Sequence, residues 1–210
     1  MINYFVKYND KLMFALLEHL QIVLISLVIS LILASLLTLV CIYFSTIQEI
    51  MLNLTAVIYS IPSLAMFAIM IPLTGLGKTT AILVLVIYNQ YLLLRNFLTG
   101  LNEVDKAIIE AANGMGMRKI ETLKIIQIPL AKKSIFAGIR LALVSTIGIA
   151  TIAASINAGG LGAILFDGLR TMNTYKIIWG SLLAAGLAIV ADFGIGRVEK
   201  SMDHSSKGSI

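Results

Sequence analysis

Between Leu20 and Phe44 the chain runs for 25 residues without a charged side chain. At about 1.5 Å of rise per residue, a helix of that length spans more than the ~30 Å hydrocarbon core of a bilayer. In lipid every backbone N–H and C=O must be paired within the protein, so such a run is a membrane helix around which the rest of the chain has to fold. It is too long for the core of a secretory leader and lacks a small-residue cleavage pattern after a short core, so it reads as an uncleaved span. Further apolar stretches of spanning length follow at about 50–71, 78–98, 134–156 and 177–197. The expectation is an all-α polytopic membrane protein with about five transmembrane helices. They form a single domain over 1–210, with one large polar loop at about 99–133. Composition agrees, with 59% hydrophobic and only 13% charged residues, where a soluble domain carries about 25% charged.

The chain holds 16 Lys and Arg against 11 Asp and Glu, a net charge of +5. In so apolar a chain this surplus reads as the cations that cytoplasmic flanks retain, and no nucleic-acid partner is expected. The 99–133 loop, its flank and the C-terminal tail carry Arg95, Lys106, Arg118, Lys119, Lys124, Lys132, Lys133, Arg197, Lys200 and Lys207. The other side has Lys7, Lys11, Lys78, Arg170 and Lys176. That bias places the N-terminus outside and the large loop and C-terminus in the cytoplasm. Cys41 is the sole cysteine, which excludes an intrachain disulfide and a cysteine zinc cluster.

Within the spans, Ser26, Ser30 and Ala34 recur every four residues, a small-residue seam along which a neighbouring helix can approach closely. Ala184 and Ala188 read the same way. Pro62 lies inside the second span, where it removes a backbone donor and kinks the helix. A kink flanked by Ser60 and Ser63 must face protein or water, so Tyr59, Ser60, Pro62 and Ser63 are candidates for lining a translocation pathway. Arg95, Arg140 and Asp192 have similar depths, and Asp192 is expected to pair with Arg140 or Arg95. His19 and His204 read as solvated positions. Gly75-Leu76-Gly77-Lys78-Thr79-Thr80 ends like a phosphate-binding loop, but Pro72 stands where its first glycine belongs and no strand precedes it, so a tight outer turn is expected. The glycine-rich segment from Asn157 to Lys176, including Gly159 and Gly160, is too polar for a simple span and reads as a partly re-entrant outer gate.

The large loop opens N-E-V-D-K-A-I-I-E-A-A-N-G-M-G from Asn102, with Asn102 as the expected N-cap and Glu103 and Asp105 in the first turn. Val104, Ala107, Ile108, Ala111 and Ala112 give one apolar helical face, and Gly114 and Gly116 supply the stop. A second amphipathic piece from Met117 to about Ile128 is expected to end before Pro129. Small residues at Ala111, Ala112, Gly114 and Gly116 suit a docking element; an amphipathic helix lying on headgroups is the alternative.

Glu110-Ala111-Ala112, three residues, Gly116, nine residues, then Ile126-x-Ile128-Pro129 resembles the EAA loop of ATP-binding-cassette importer permeases, E-A-A-x3-G-x9-I-x-L-P, with Ile128 in place of Leu. Ile61-Pro62-Ser63-Leu64-Ala65, Ile71 to Lys78, Ala150 to Ala154 and Asn157-Ala158-Gly159-Gly160-Leu161-Gly162 resemble the osmoprotectant branch of these permeases, for glycine betaine, carnitine or choline. That branch often has Gly where this chain has Asn157.

The resemblance implies a type I importer permease that is not itself an enzyme, set in a bacterial cell membrane. It would pair with a second permease, a copy or a paralogue, and receive substrate from an external binding protein. It would dock on cytoplasmic ATPase subunits that bind the ATP and Mg, so no cofactor is expected on this chain. Glu110, Ala111, Ala112, Gly114 and Gly116 would form the coupling helix. Permeation of an amino acid or an ergothioneine-like betaine is the alternative within transport, and an ion-coupled carrier the alternative outside it. Tyr59, Phe67, Tyr88, Tyr91 and Trp179 are available to a quaternary ammonium cation, but read first as packing or interface aromatics.

Overall fold

The computed structural model describes residues 2–207, with side chains for residues 3–202. The side chains of His204 and Lys207 therefore lie outside the described residues. The chain forms α1 (Ile2–Tyr43), α2 (Ser45–Ser60), α3 (Ser63–Thr74), α4 (Lys78–Asn102), α5 (Lys106–Gly114), α6 (Lys119–Thr122), α7 (Ile128–Ile152), α8 (Leu161–Arg170) and α9 (Thr174–Lys207). A π-helical turn, Leu123–Gln127, joins α6 to α7, and a 3-10 turn, Ala153–Ile156, follows α7.

The helices at Asn3–Tyr43, Lys78–Asn102, Lys119–Ile156 and Thr174–Met202 are each long and apolar enough to cross a membrane. The α2–α3 pair is a further span, by the following geometry. Near Tyr43 the chain meets the loop helices, because Lys119 Nζ donates to Ile42 O at 2.8 Å. Lys78 instead meets Glu18, 25 residues earlier on α1, with Nζ 2.7 Å from Oε1. The chain between Tyr43 and Lys78 thus leaves one end of the bundle and arrives at the other. Gln127 Nε2 on Leu101 O (3.3 Å) and Lys132 Nζ on Met202 O (3.4 Å) bring the ends of α4 and α9 to the α5 end as well.

Two expectations about breaks in the helices are corrected. Pro62 does not kink a continuous helix; α2 and α3 meet at 100°. The residue before a proline is pushed out of the helical region, and Ile61 (ψ 130°) and Pro62 (ψ 134°) are both extended. The break frees the Ile61 carbonyl, and Tyr88 of α4 donates its hydroxyl to it at 2.5 Å. Pro129 does not end the loop helix, which runs on into α7. The Ile128 N–H reaches back five residues to Leu123 O, and this one wide turn removes the carbonyl from the path of the proline ring that follows.

The first helix begins at Ile2, well before the expected Leu20. Its polar N-terminal arm is held by packing that hydropathy does not register: Tyr4 stacks on Tyr175 at 6.0 Å and Phe5 lies 4.8 Å from Trp179, both on α9. Segment 157–176, expected as a partly re-entrant outer gate, contains α8.

The centre of the bundle is α4, whose Ala81, Val84, Leu85, Leu93 and Leu94 are fully buried. Helices in lipid associate through close packing and hydrogen bonds, and both operate here. Ser26, Ser30 and Ala34 are fully buried along α1, as the seam requires. A Cβ on Gly100 would sit 2.5 Å from Ser134 Cβ, and one on Gly138 2.7 Å from Asn96 Cβ, so α4 and α7 touch closely at two levels. At mid-bundle the Asn89 amide donates to Thr146 Oγ1 at 2.9 Å and to Ser30 Oγ at 3.2 Å, joining α1, α4 and α7.

Candidate functional site

At the first end of the bundle α5 stands clear of the spans. Asp105 is its N-cap, Oδ1 accepting the Ala107 N–H at 2.9 Å; Asn102, the expected cap, is instead the last residue of α4. Its C-terminus closes with a pair of backbone bonds, Gly116 N–H to Asn113 O at 3.0 Å and Met117 N–H to Ala112 O at 3.1 Å. That pattern requires a left-handed residue just past the helix, and Gly116 supplies it at φ +83°. The stop is therefore Gly116 alone, since Gly114 is helical. The expected small-residue face divides. Ala112 is fully buried beneath the helix with Val104, whereas Glu110, Ala111 and Gly114 are exposed beside Ile108 and Met115. Nothing lies within 4 Å of where a Cβ on Gly114 would be. The result is a short, rigidly terminated helix with an outward strip of small and apolar side chains.

The α2–α3 break carries the second group of candidate residues. Ser60 and Pro62 are exposed, and Tyr59 and Ser63 are partly so. Tyr59 sits 4.9 Å from the Tyr91 ring and 5.7 Å, edge on, from Tyr88, while the Arg95 guanidinium lies 5.7 Å above Tyr91. Phe67 and Trp179, also available on sequence grounds, are elsewhere: Phe67 is fully buried in the core and Trp179 packs on Phe5.

At the opposite end the 3-10 turn closes as α5 does. Asn157 N–H reaches Ala154 O at 3.1 Å, Ala158 N–H reaches Ala153 O at 3.2 Å, and Asn157 is left-handed at φ +62°. Asparagine tolerates that conformation better than any residue except glycine, so Asn157 keeps the backbone that glycine would adopt. Gly159 (φ +84°) and Gly160 (φ +75°) then turn the chain into α8. Both press on α1: an added Cβ on Gly159 would sit 2.2 Å from Glu18 Oε2, and one on Gly160 3.0 Å from His19 Nδ1. The Gly160 N–H donates to Glu18 Oε2 at 2.7 Å. Next to this turn α8 is fastened to α9 by Lys176 Nζ on Asp167 Oδ2 at 2.6 Å, with Arg170 at 3.3 Å; these cations, Lys176 foremost, hold Asp167 below the usual carboxylate range.

A family model described as "Binding-protein-dependent transport system inner membrane component" matches residues 26–204. The chain belongs to this family. It is thus a multi-pass inner-membrane permease component of a transport system, and not itself an enzyme. Among its relatives, the carnitine transport permease protein OpuCD of Listeria monocytogenes is 40% identical over 153 residues, covering 72% of this chain and 69% of that protein. The choline transport system permease protein OpuBB of Bacillus subtilis is 34% identical over 92% of this chain and 89% of the relative. Among solved structures, the inward-facing MetNI methionine ABC transporter superposes with a TM-score of 0.81 at 19% identity, covering 90% of this chain and 95% of that one. An amino acid ABC transporter with histidines gives 0.76 at 17% identity, over 98% of both chains. These structures establish the importer-permease fold.

In this permease Asp192 pairs with Arg140 and not with Arg95. Nε and Nη2 each donate to one carboxylate oxygen at 2.7 Å, a two-point clamp between α7 and α9. Arg95 instead donates to the Tyr91 hydroxyl. His19 is not solvated but fully buried, with Nε2 3.2 Å from Ile147 O. Lys78, at the end of the turn that resembles a phosphate loop, is engaged by Glu18. Among the described residues no His, Cys, Asp and Glu side chains group as a metal site. Sequence reasoning passed over Glu18. Its one signal was a carboxylate next to a histidine at the head of a long apolar run, and its partners lie 60 and 142 residues away.

Proposed function

We propose that this permease forms the pathway of an ATP-driven importer for a quaternary ammonium compatible solute such as glycine betaine, carnitine or choline. The observation that carries the substrate class is the 34–40% identity to several relatives named for those compounds. The α5 end is cytoplasmic on the charge bias, which puts the C-terminus inside, and the N-terminus and the Gly159–Gly160 turn outside. The exposed strip of α5 at Glu110, Ala111 and Gly114, terminated by Gly116, inserts into a cleft of a partner ATPase that binds the ATP and Mg. Ala112 contributes from beneath by seating the helix. A second permease, identical or paralogous, completes the pore, and an external binding protein delivers substrate.

On this reading closure of the ATPases moves the two α5 helices together and switches the pore between inward-open and outward-open packings. Tyr59, Ser60, Pro62 and Ser63 line the pathway at the α2–α3 break, where backbone leaves the helix and hydroxyls are exposed. Asn157, Gly159 and Gly160 form the outer gate. A second reading of the substrate has its own support: an ergothioneine transport permease/ergothioneine binding protein of Helicobacter pylori is 39% identical over 71% of this chain, which covers 27% of that longer protein.

The test is purification of the tagged chain with its co-purifying ATPase and binding protein, followed by reconstitution into liposomes. ATP-dependent uptake of radiolabelled glycine betaine, carnitine, choline, ergothioneine and methionine is then compared. Uptake of glycine betaine, carnitine or choline, competed by the others of these three and not by methionine, is the expected result. Uptake of ergothioneine alone establishes the second reading, and uptake without ATP or partners contradicts both.

A further inference from the structure

We infer that Glu18 is a positioning residue of the outer turn, holding Gly159–Gly160 against α1 through a backbone hydrogen bond. The inference rests on the reading of 157–160 as a gate and names the side chain that keeps it shut. The Glu18 side chain is only 18% exposed, and its carboxylate divides its oxygens between two elements far away in sequence. Oε2 accepts the Gly160 N–H at 2.7 Å, and Oε1 faces Lys78 Nζ at 2.7 Å, the first residue of α4.

The turn is shaped to admit this carboxylate. A methyl group on Gly159 would lie 2.2 Å from Oε2 and 2.5 Å from Cδ, and Gly159 and Gly160 both adopt positive φ. His19, the next residue on α1, closes the other side, its buried ring against Gly160 and its Nε2 3.2 Å from Ile147 O on α7. The second outer turn abuts the first, with a Cβ on Gly77 falling 3.9 Å from Asn157 O. Successive residues of α1 thus fix the glycine turn, the start of α4 and the end of α7 in one body.

The two bonds of Glu18 have different weights. The Lys78 ammonium is 45% exposed, and pairs of that kind contribute little. The bond to Gly160 is short and has a charged acceptor, the stronger class, and losing it shifts an opening equilibrium by about tenfold or more. Opening the turn therefore means breaking the Gly160–Glu18 bond.

The experiment uses the complete importer in proteoliposomes, with Ala158→Cys as the reporter. Ala158 is fully buried within the turn, cysteine adds a single sulfur to it, and the native Cys41 is buried elsewhere. Labelling by a membrane-impermeant maleimide is measured without nucleotide and with ATP and vanadate. Glu18→Ala is expected to raise the nucleotide-free rate by about tenfold. Glu18→Gln, whose amide oxygen still accepts from Gly160 but without the charge, is expected to fall between the parent and Glu18→Ala, and Lys78→Met stays near the parent rate. Should Glu18→Ala fail to assemble with the ATPase, Glu18→Asp, whose carboxylate is withdrawn from Gly160 by one methylene with the charge kept, is expected to raise labelling in the same way.

A parent-like rate in Glu18→Ala overturns the proposal. So does equal acceleration by Glu18→Gln, because the charge and not the acceptor would then hold the turn. The gate reading fails separately: parent labelling that is identical with and without ATP and vanadate removes it, whatever Glu18→Ala does.

Discussion

Both ends of this permease close a helix with the same backbone device, yet the two turns are embedded differently. At the α5 end Gly116 is left-handed and open, with nothing within 4 Å of where its Cβ would be. At the other end Asn157 is left-handed and leads into glycines that press on Glu18, His19 and the Thr151 carbonyl. One turn leaves its helix exposed; the other is fastened to three elements within the chain. The local conformation is the same, and on the proposed function the difference in surroundings is what separates a docking element from a gate.

Glycine substitutions break that comparison most strongly. A Cβ on Gly162 would sit 1.9 Å from the Thr151 carbonyl oxygen, a backbone atom with no rotamer to yield. Gly162→Ala is expected to cost upwards of about 3 kcal/mol through displacement of α8, seen as a large loss of Tm and of assembled complex. Gly114→Ala, made in open space on α5, is expected to stabilise the helix by up to about 1 kcal/mol. A lowered Tm for Gly114→Ala would show that α5 packs more tightly than its exposure indicates. The smallest effect is expected at Asn157→Gly, because glycine enters the left-handed region freely: a change of a few tenths of a kcal/mol, about the cost of added backbone freedom. A large loss of transport there, with Tm unchanged, would give the Asn157 amide a role of its own in substrate passage.

The helix and its stop at the α5 end were legible in the sequence because their signals are local. The spacing from Glu110 through Gly116 to Pro129 lies within one loop, and a left-handed glycine after an amphipathic run is a standard helix stop. The spans, the buried Ser26–Ser30–Ala34 seam and an arginine partner for Asp192 followed from hydropathy, small-residue period and matched depth, which left Arg140 and Arg95 both open until the structure selected Arg140. What stayed hidden depends on partners distant along the chain. Pro62 signals a disturbance, but a 100° break in place of a kink needs the Tyr88 hydroxyl to satisfy Ile61. The N-terminal arm of α1 is too polar to register as a span and is helical where it packs on Tyr175 and Trp179. Pro129 looked like a stop because nothing in a sequence announces the π turn that accommodates it. Glu18 was passed over and His19 read as solvated because the glycine turn brought against them lies 142 residues on from Glu18.

The central claim is that the α5 end and the glycine-turn end are two ends of one ATP-driven machine. The most direct measurement is the nucleotide response of Ala158→Cys labelling in the complete importer, with and without Gly116→Asp. With Gly116 intact, ATP and vanadate are expected to change the labelling rate. With Gly116→Asp, the ATPase is expected to hydrolyse ATP while labelling no longer responds. An undiminished response in the Gly116→Asp complex would contradict the claim, since the outer turn would then be moving without α5.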